Sequence, residues 1–262
     1  MNHNYAESLF PPEEGRMTEA FTSSAEYYEV LSDSDARLDR EGPLLRDTFR
    51  SAPGMLVVDI ACGTGIHSEF FGRLGARVDA FDISAEMIAL AARRHSHPTV
   101  TYHTGDMRAL SGGPWDYAIC LGNSLSVLTD TKDLGMTFRA VFSSLTQGGV
   151  FVLQILNYRG ANARKPRHRI EHRRTGGADI VAVKSLVPHG DRTLLSLSFY
   201  RTEGDDWTSL SETAVLKNWS KEDMENAAHA AGFTVKALYG GFDRSEFDPN
   251  ESADLVIVNR KT

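Results

Sequence analysis

Asp59-Ile-Ala-Cys-Gly-Thr-Gly65 places a carboxylate at the end of an apolar run and two glycines on the turn behind it. Glycines there permit a tight turn and close approach of a ligand to the backbone. A dinucleotide would bring a pyrophosphate to this turn and would favour helix N–H groups with no acid nearby. Here Asp59 stands at the strand end and Ser68 occupies the place of a third glycine. Such an acid suits a cationic amino acid headgroup, or else it braces its own loop. Asp82 ends the next apolar run about twenty residues beyond the glycines, where an acid can accept both hydroxyl hydrogens of a ribose. Gly105-Asp106-Met107 follows the third run. Its carboxylate can accept from an adenine amino group and its thioether can lie against the ring, with a simple turn acid as the alternative. Asp79, on the alternate position of the second strand, reads as a solvent-facing acid.

These acids need a scaffold that brings three strand ends together. Strand-like runs occur at Met55–Ile60, Ala76–Phe81, Thr99–Tyr102, Tyr117–Leu121 and Val150–Leu156, with helical stretches at His67–Leu74, Ala85–His95 behind the N-cap Ser84, and Leu134–Leu145 before Gly148-Gly149. Near-continuous apolar strands alternating with amphipathic helices imply a parallel sheet covered on both faces, a doubly wound α/β fold. The carboxyl edge of such a sheet is where ligands bind. Ahead of it, residues 1–20 read as a mobile N-terminal arm, and residues 21–50 as two short helices broken at Ser32–Asp35 and at Gly42-Pro43. Beyond Tyr158 the texture changes to alternating strands at Ile180–Val187, Leu194–Tyr200 and Leu210–Leu216, an antiparallel β insertion. Ser220-Lys-Glu-Asp223 then forms a capping box, a helix runs to Ala231 before Gly232, and strands follow at Phe233–Tyr239 and Ala253–Asn259.

With its three acids at three successive strand ends, the sequence resembles the class I S-adenosylmethionine-dependent methyltransferases over roughly Tyr27 to Asn259. The resemblance implies a Rossmann-like sheet of seven strands, the last antiparallel. It also implies S-adenosyl-L-methionine as cofactor, with S-adenosyl-L-homocysteine as product. In such families the first acid (Asp59) serves the methionine amino group, the second (Asp82) the ribose and the third (Asp106) the adenine. Ala61, Gly63, Ile83, Met87, Met107 and Leu121 fall where members line the cofactor. Leu121-Gly-Asn-Ser124, Asn157-Tyr158 and the insertion are similar to the glycine and sarcosine N-methyltransferases and related small-molecule enzymes. By that resemblance Asn123 and Tyr158 are the catalytic and substrate-side candidates, Tyr28 reaches the cofactor, and Arg37, or Arg40 if the helix slips by a turn, pairs with its carboxylate. Glycine-methylating relatives carry an arginine where this chain has Leu156, so glycine is not the expected acceptor.

The division that follows is a cofactor-binding domain of residues 21–157 and 219–262, with residues 158–218 as a substrate lid. The expected activity is methyl transfer to a nitrogen or oxygen of a small molecule. Rival readings are a regulatory module that binds cofactor without catalysis, a methyltransferase acting on a peptide or nucleic acid, and an NAD-dependent dehydrogenase. A hydroxyl acceptor would need a general base; His168, placed on the substrate side, and His172 are candidates, with surface histidines as the alternative. His67 either walls the site or packs at a helix end. A net charge of −7 disfavours a nucleic-acid partner. The basic segment from Arg164 to Arg174 is the local exception, read as a solvated face or as a holder of an anionic substrate group. No apolar stretch reaches the ~20 residues of a membrane span and no signal-peptide pattern opens the chain, so the expected setting is cytoplasmic without membrane attachment. Cys62 and Cys120 read as reduced core thiols and no metal-ligand spacing occurs. A homodimer is compatible with the sequence and is not specified by it.

Overall fold

A computed structural model describes residues 25–31 and 34–262. The expected arm at 1–20 and part of the expected turn at Ser32–Asp35 lie outside those residues. Two helices lead the chain, α1 (Ala25–Leu31) and α2 (Ser34–Arg50). The expected break at Gly42-Pro43 does not occur. Pro43 and Asp39, whose carbonyl loses its helical donor to the proline, are both exposed, so water can satisfy that carbonyl. On the opposite side Glu41, Leu44, Leu45 and Phe49 are buried and hold the helix in one piece. Gly42 lets the Phe70 ring come close, since a Cβ there would stand 3.3 Å from it.

The α/β layer then follows as β1 (Leu56–Ile60), α3 (Ile66–Arg73), β2 (Arg77–Asp82), α4 (Ala85–Arg94), β3 (Val100–Thr104), β4 (Trp115–Cys120), α5 (Thr131–Ser144) and β5 (Leu145–Leu156). Ser84 caps α4 by accepting from the Met87 N–H, and Asp130 caps α5 through Lys132 N–H. After an inserted segment come α6 (Lys221–Ala231), with the expected capping box of Ser220 and Asp223 and the left-handed stop Gly232, and two strands that we number β10 (Phe233–Tyr239) and β11 (Asp254–Lys261). The seven strands lie in the order β10-β11-β5-β4-β1-β2-β3, with β11 antiparallel to both of its neighbours. This is the expected doubly wound sheet with its last strand reversed. The chain changes direction across the sheet at β1, which pairs with β2 on one side and β4 on the other, and ligands bind at the carboxyl end of such a switch point.

Two apolar layers sandwich the sheet. Phe138, Phe151, Phe233 and Trp219 pack on the α5–α6 side, and Leu45, Phe49, Phe71 and Tyr117 on the α2–α3 side. Asp79 is not the bare surface acid expected from its alternate position. It accepts from the Trp115 indole N–H at 2.9 Å and pairs with His103, tying β2 to β3 and β4.

The insertion is a second sheet of four antiparallel strands, β6 (Arg167–Thr175), β7 (Ala178–His189), β8 (Arg192–Glu203) and β9 (Asp206–Lys217). Three strands are legible in the sequence and β6 is not, because its alternation is Arg and His against Arg and Glu, with Ile170 its only large apolar residue. The inner face carries Ile180, Ala182, Leu195, Leu197 and Phe199, which pack on Val30 and Leu31 of α1. Trp219 fastens the end of the insertion to the core by donating its indole N–H to the carbonyls of Leu125 and Leu128.

Phe138 is fully buried against the rings of Phe151 and Phe233. Truncating it to alanine removes a filled volume that neighbouring aromatic rings cannot collapse into, at an expected cost of about 3–5 kcal/mol. Urea denaturation of Phe138→Ala with an unchanged m value checks this; a loss under ~1 kcal/mol would show that the core repacks.

Candidate active site

The carboxyl ends of β1, β2 and β4 open into a cavity of about 1460 Å³, lined also by α1, α2 and the inner face of the second sheet. Small-ligand sites run to about 300–1,000 Å³, so this one has room for two molecules. Tyr28, Arg37, Asp59, Ala61, Gly63, Asp82, Ile83, Met87, Asp106, Met107, Leu121 and Asn123 all line it.

The turn after β1 is built from left-handed residues, Ala61 (φ 56), Gly63 (φ 55) and Gly65 (φ 88). The alanine pays roughly 1–2 kcal/mol for that conformation, a strain typical of ligand-contacting turns. The glycines serve different ends. A Cβ at Gly65 would meet the Tyr102 hydroxyl at 2.6 Å, whereas at Gly63 it would meet no protein atom within 4 Å. Gly65 is thus demanded by packing, and Gly63 by its backbone and by the open cavity it borders.

Asp59 is buried and accepts from the Ser68 hydroxyl at 2.6 Å through Oδ2. The residue in place of a third glycine therefore holds the acid. Burial pushes the Asp59 carboxyl above the usual range, only partly offset by His67, Ser68 and Arg37. Asp82 accepts the Gly63 N–H on Oδ2 and the Ser84 N–H on Oδ1, each at 2.9 Å. Each oxygen keeps a second lone pair, the arrangement that suits a vicinal diol. Burial raises its carboxyl too. Both sites gain from a ligand that brings positive charge or hydrogen-bond donors.

Asp106 is already engaged. It caps the following turn through the Arg108 N–H and receives the Arg108 guanidinium, which also reaches Asp133 at 2.8 Å. Arg108 was not legible as a site residue, and it competes for the lone pairs that an adenine amino group would use. Met107, buried beside it, forms cavity wall.

Glu41 was missed as well. It is buried within α2, where its Oε2 bonds His67 Nε2 at 2.8 Å and its Oε1 receives Arg37 at 3.0 Å and Arg40 at 3.2 Å. Both candidate arginines thus meet on one acid, and His67 links α2 to the start of α3. Burial alone would push the Glu41 carboxyl up, but His67 and Arg37 outweigh it and lower the pKa to about 2.

At the far end of the cavity Asn123 is left-handed (φ 68). Its Oδ1 accepts from Ser126 and from the Leu156 N–H, and its Nδ2 donates to the Tyr158 hydroxyl at 2.7 Å. The N–H groups of Gly122 and Asn123 both donate to Gln154 Oε1, and Gln154 Nε2 donates to Asp254 at 2.7 Å. Gln154 and Asp254 line the cavity and had no sequence signal, since each is a lone polar residue bordering an apolar run and no motif surrounds it. Tyr158 is buried behind Asn123 and is not among the lining residues. His168 is also outside the lining; it is exposed and bonds Ser185 across the strand pair, while its neighbour Arg169 faces the cavity. His172 pairs with Asp179. Neither histidine is placed to act on a ligand in the cavity. Among the described residues no cluster of His, Cys, Asp or Glu fit for a metal is present, and no helix is long and apolar enough to cross a membrane.

Residues 57–149 match a family model described as a methyltransferase domain. The glycine/sarcosine N-methyltransferase of Halorhodospira halochloris is 32% identical over 242 residues, spanning 89% of this chain and 86% of that protein. The chain belongs to the class I S-adenosylmethionine-dependent methyltransferases. A sugar N,N-dimethyltransferase of Streptomyces fradiae, acting on dTDP-3-amino-3,6-dideoxy-alpha-D-glucopyranose, is 27% identical over 188 residues, 71% of this chain and 72% of that one. In fold, this methyltransferase is similar to an S-adenosylmethionine-dependent methyltransferase from Clostridium acetobutylicum, with a TM-score of 0.75 at 18% identity, covering 91% of this chain and 97% of that structure. Its methyl donor is S-adenosylmethionine, and the cavity fits that molecule: buried acids short of donors, and a left-handed glycine bordering open space.

The depressed Glu41 pKa gives a pH test. A carboxyl whose folded pKa lies below its ordinary 4.5 contributes its full stability above that value and loses it as pH falls toward about 2. Wild type is expected to lose more stability than Glu41→Gln as pH drops through this window, read from urea midpoints; parallel losses would remove Glu41 from the account.

Proposed function

We propose that this methyltransferase transfers the methyl group to an amine nitrogen of a small molecule, with residues 21–157 and 219–262 holding the cofactor and residues 158–218 closing over the acceptor. The observation that carries the reading is the single cavity running from the acids at the β1 and β2 ends to the inner face of the second sheet. The two relatives above, both named for N-methylation, support nitrogen over oxygen.

In this reading the free oxygen of Asp59 receives the cofactor's amino group and Asp82 its ribose hydroxyls. Arg37, steadied by Glu41, meets the carboxylate. Ala61, Gly63, Ile83, Met87, Met107, Leu121 and Tyr28 form the walls, and Asp106 acts chiefly by setting Met107 and Arg108. S-adenosylmethionine supplies a methyl already activated by positively charged sulfur. The protein's task is therefore alignment, exclusion of water and a free lone pair on the acceptor. Asn123 stands at the acceptor end, fixed by Ser126, Leu156 and Tyr158. Tyr158 is a positioning residue rather than a catalytic one. An ammonium must lose its proton before attack, and Asp254, tethered at one oxygen by Gln154 and raised by burial, is the carboxylate at this end able to receive it. The cytoplasmic setting belongs to the same proposal, supported by two buried free thiols, Cys62 and Cys120.

A panel of primary and secondary amines beside matched alcohols, scored by S-adenosylhomocysteine release, tests the acceptor class. Turnover of alcohols alone would reject nitrogen. On the amine that turns over, Asn123→Ala is expected to lower kcat by about a hundredfold, within the range for loss of a positioned polar group, with cofactor affinity changed less than about twofold. An equal loss in both would move Asn123 to the cofactor shell.

A further inference from the structure

The inner face of the second sheet carries a cationic pair that the cofactor reading does not use. Arg169 on β6 and Lys184 on β7 are directly opposite in the strand register, and both line the cavity. Directly opposed residues have Cβ atoms about 4.5–5.5 Å apart, and like charges so placed repel. Glu171, two residues along the same face, offsets part of this through its pair with Arg169 and leaves Lys184 without a paired acid. Among the described residues no side chain pairs with Lys184. The next residue in its row is Leu197, with Glu212 beyond it at roughly 9–10 Å from Lys184 by two strand spacings, and Glu171 is its diagonal neighbour at about 7–8 Å, already engaged by Arg169. On its own face Lys184 is half-buried, flanked along the sheet by Ala182, Leu186, Leu195 and Leu197. Arg169 gives its Nε to Glu171 at 2.7 Å in a solvent-accessible pair, leaving the terminal guanidinium nitrogens uncommitted. One pleat away, Arg167 carries a buried Nε without a partner, and its charge reaches Tyr158 and Asp254 at the acceptor end. A chain of net charge −7 is not short of acids, yet it places none directly opposite this pair.

We propose that the methyl acceptor carries an oxyanion, a carboxylate or a phosphate, and that Arg169 and Lys184 hold it against the second sheet while Asn123 faces the reacting nitrogen. The planar guanidinium offers paired donors to two oxygens and the ammonium a point charge, a combination suited to either anion. The oxyanion offsets the repulsion and gives the lid its grip on the acceptor. The proposal rests on the methyl-transfer reading of the cavity.

The test titrates inorganic pyrophosphate and succinate, separately and at constant ionic strength, into the protein loaded with S-adenosylhomocysteine, by calorimetry. Saturable binding of one or both is expected, and which one binds distinguishes phosphate from carboxylate. Lys184→Gln and Arg169→Gln should each weaken that binding at least about tenfold and leave S-adenosylhomocysteine affinity unchanged. Lys184→Met should fold with equal or higher thermal stability, because it removes a repelling charge; a lysine that merely braced the sheet would be missed on heating. Absence of saturable anion binding, or binding indifferent to both substitutions, overturns the clamp while leaving the cofactor site standing. Failure of S-adenosylhomocysteine itself to bind would instead strike the methyl-transfer reading on which the clamp depends.

Discussion

Much of this structure depends on the two hydrogen bonds that Asp82 accepts from the backbone, one from Gly63 and one from Ser84. They join the glycine turn after β1 to the turn after β2, so that two neighbouring strand ends share one carboxylate. The turn can then hold three left-handed residues, including an alanine that pays for its conformation. Asp82 is half-buried to do so, and burial raises its pKa despite the backbone hydrogen bonds it accepts. On the proposed placement of the ribose, its hydroxyl hydrogens offset that cost and couple cofactor binding to the order of the turn.

Around this centre the fold supplies two further attachments. Glu41 binds His67 and two arginines, docking α2 on the start of α3 behind the glycine turn and holding basic groups beside the cavity. Gln154 reaches from β5 to the two N–H groups after β4 and to Asp254 on β11, giving the turn at Asn123 the same kind of backbone anchorage that Asp82 gives the glycine turn. The second sheet contributes an apolar inner face covered by α1, and beyond it a cationic strip facing the cavity. In the proposed reading, donor and acceptor regions are built on separate elements and meet at Asn123.

The sequence makes legible those features whose signals are local. Strand periodicity, the Ser84 cap and the Ser220–Asp223 box locate elements to within a few residues, and the order of acids along the strands identifies the sheet edge. Features that depend on distant partners are hidden. Nothing near Glu41 in sequence announces His67, and nothing near Gln154 announces Gly122. Pro43 reads as a helix break because its exposure cannot be known, and Asp79 reads as bare because Trp115 is thirty-six residues away. The same limit explains His168: a histidine in a basic strand looks chemical until the pleat shows that Arg169 faces the cavity instead.

Calorimetric titration of S-adenosylhomocysteine into wild type and Asp82→Ala addresses the centre of this arrangement most directly. Loss of a buried, charge-assisted set of contacts should weaken binding at least about tenfold, with the variant still folded. Equal affinity in the two proteins would contradict the placement of the cofactor on Asp82 and the coupling of the two strand ends through it.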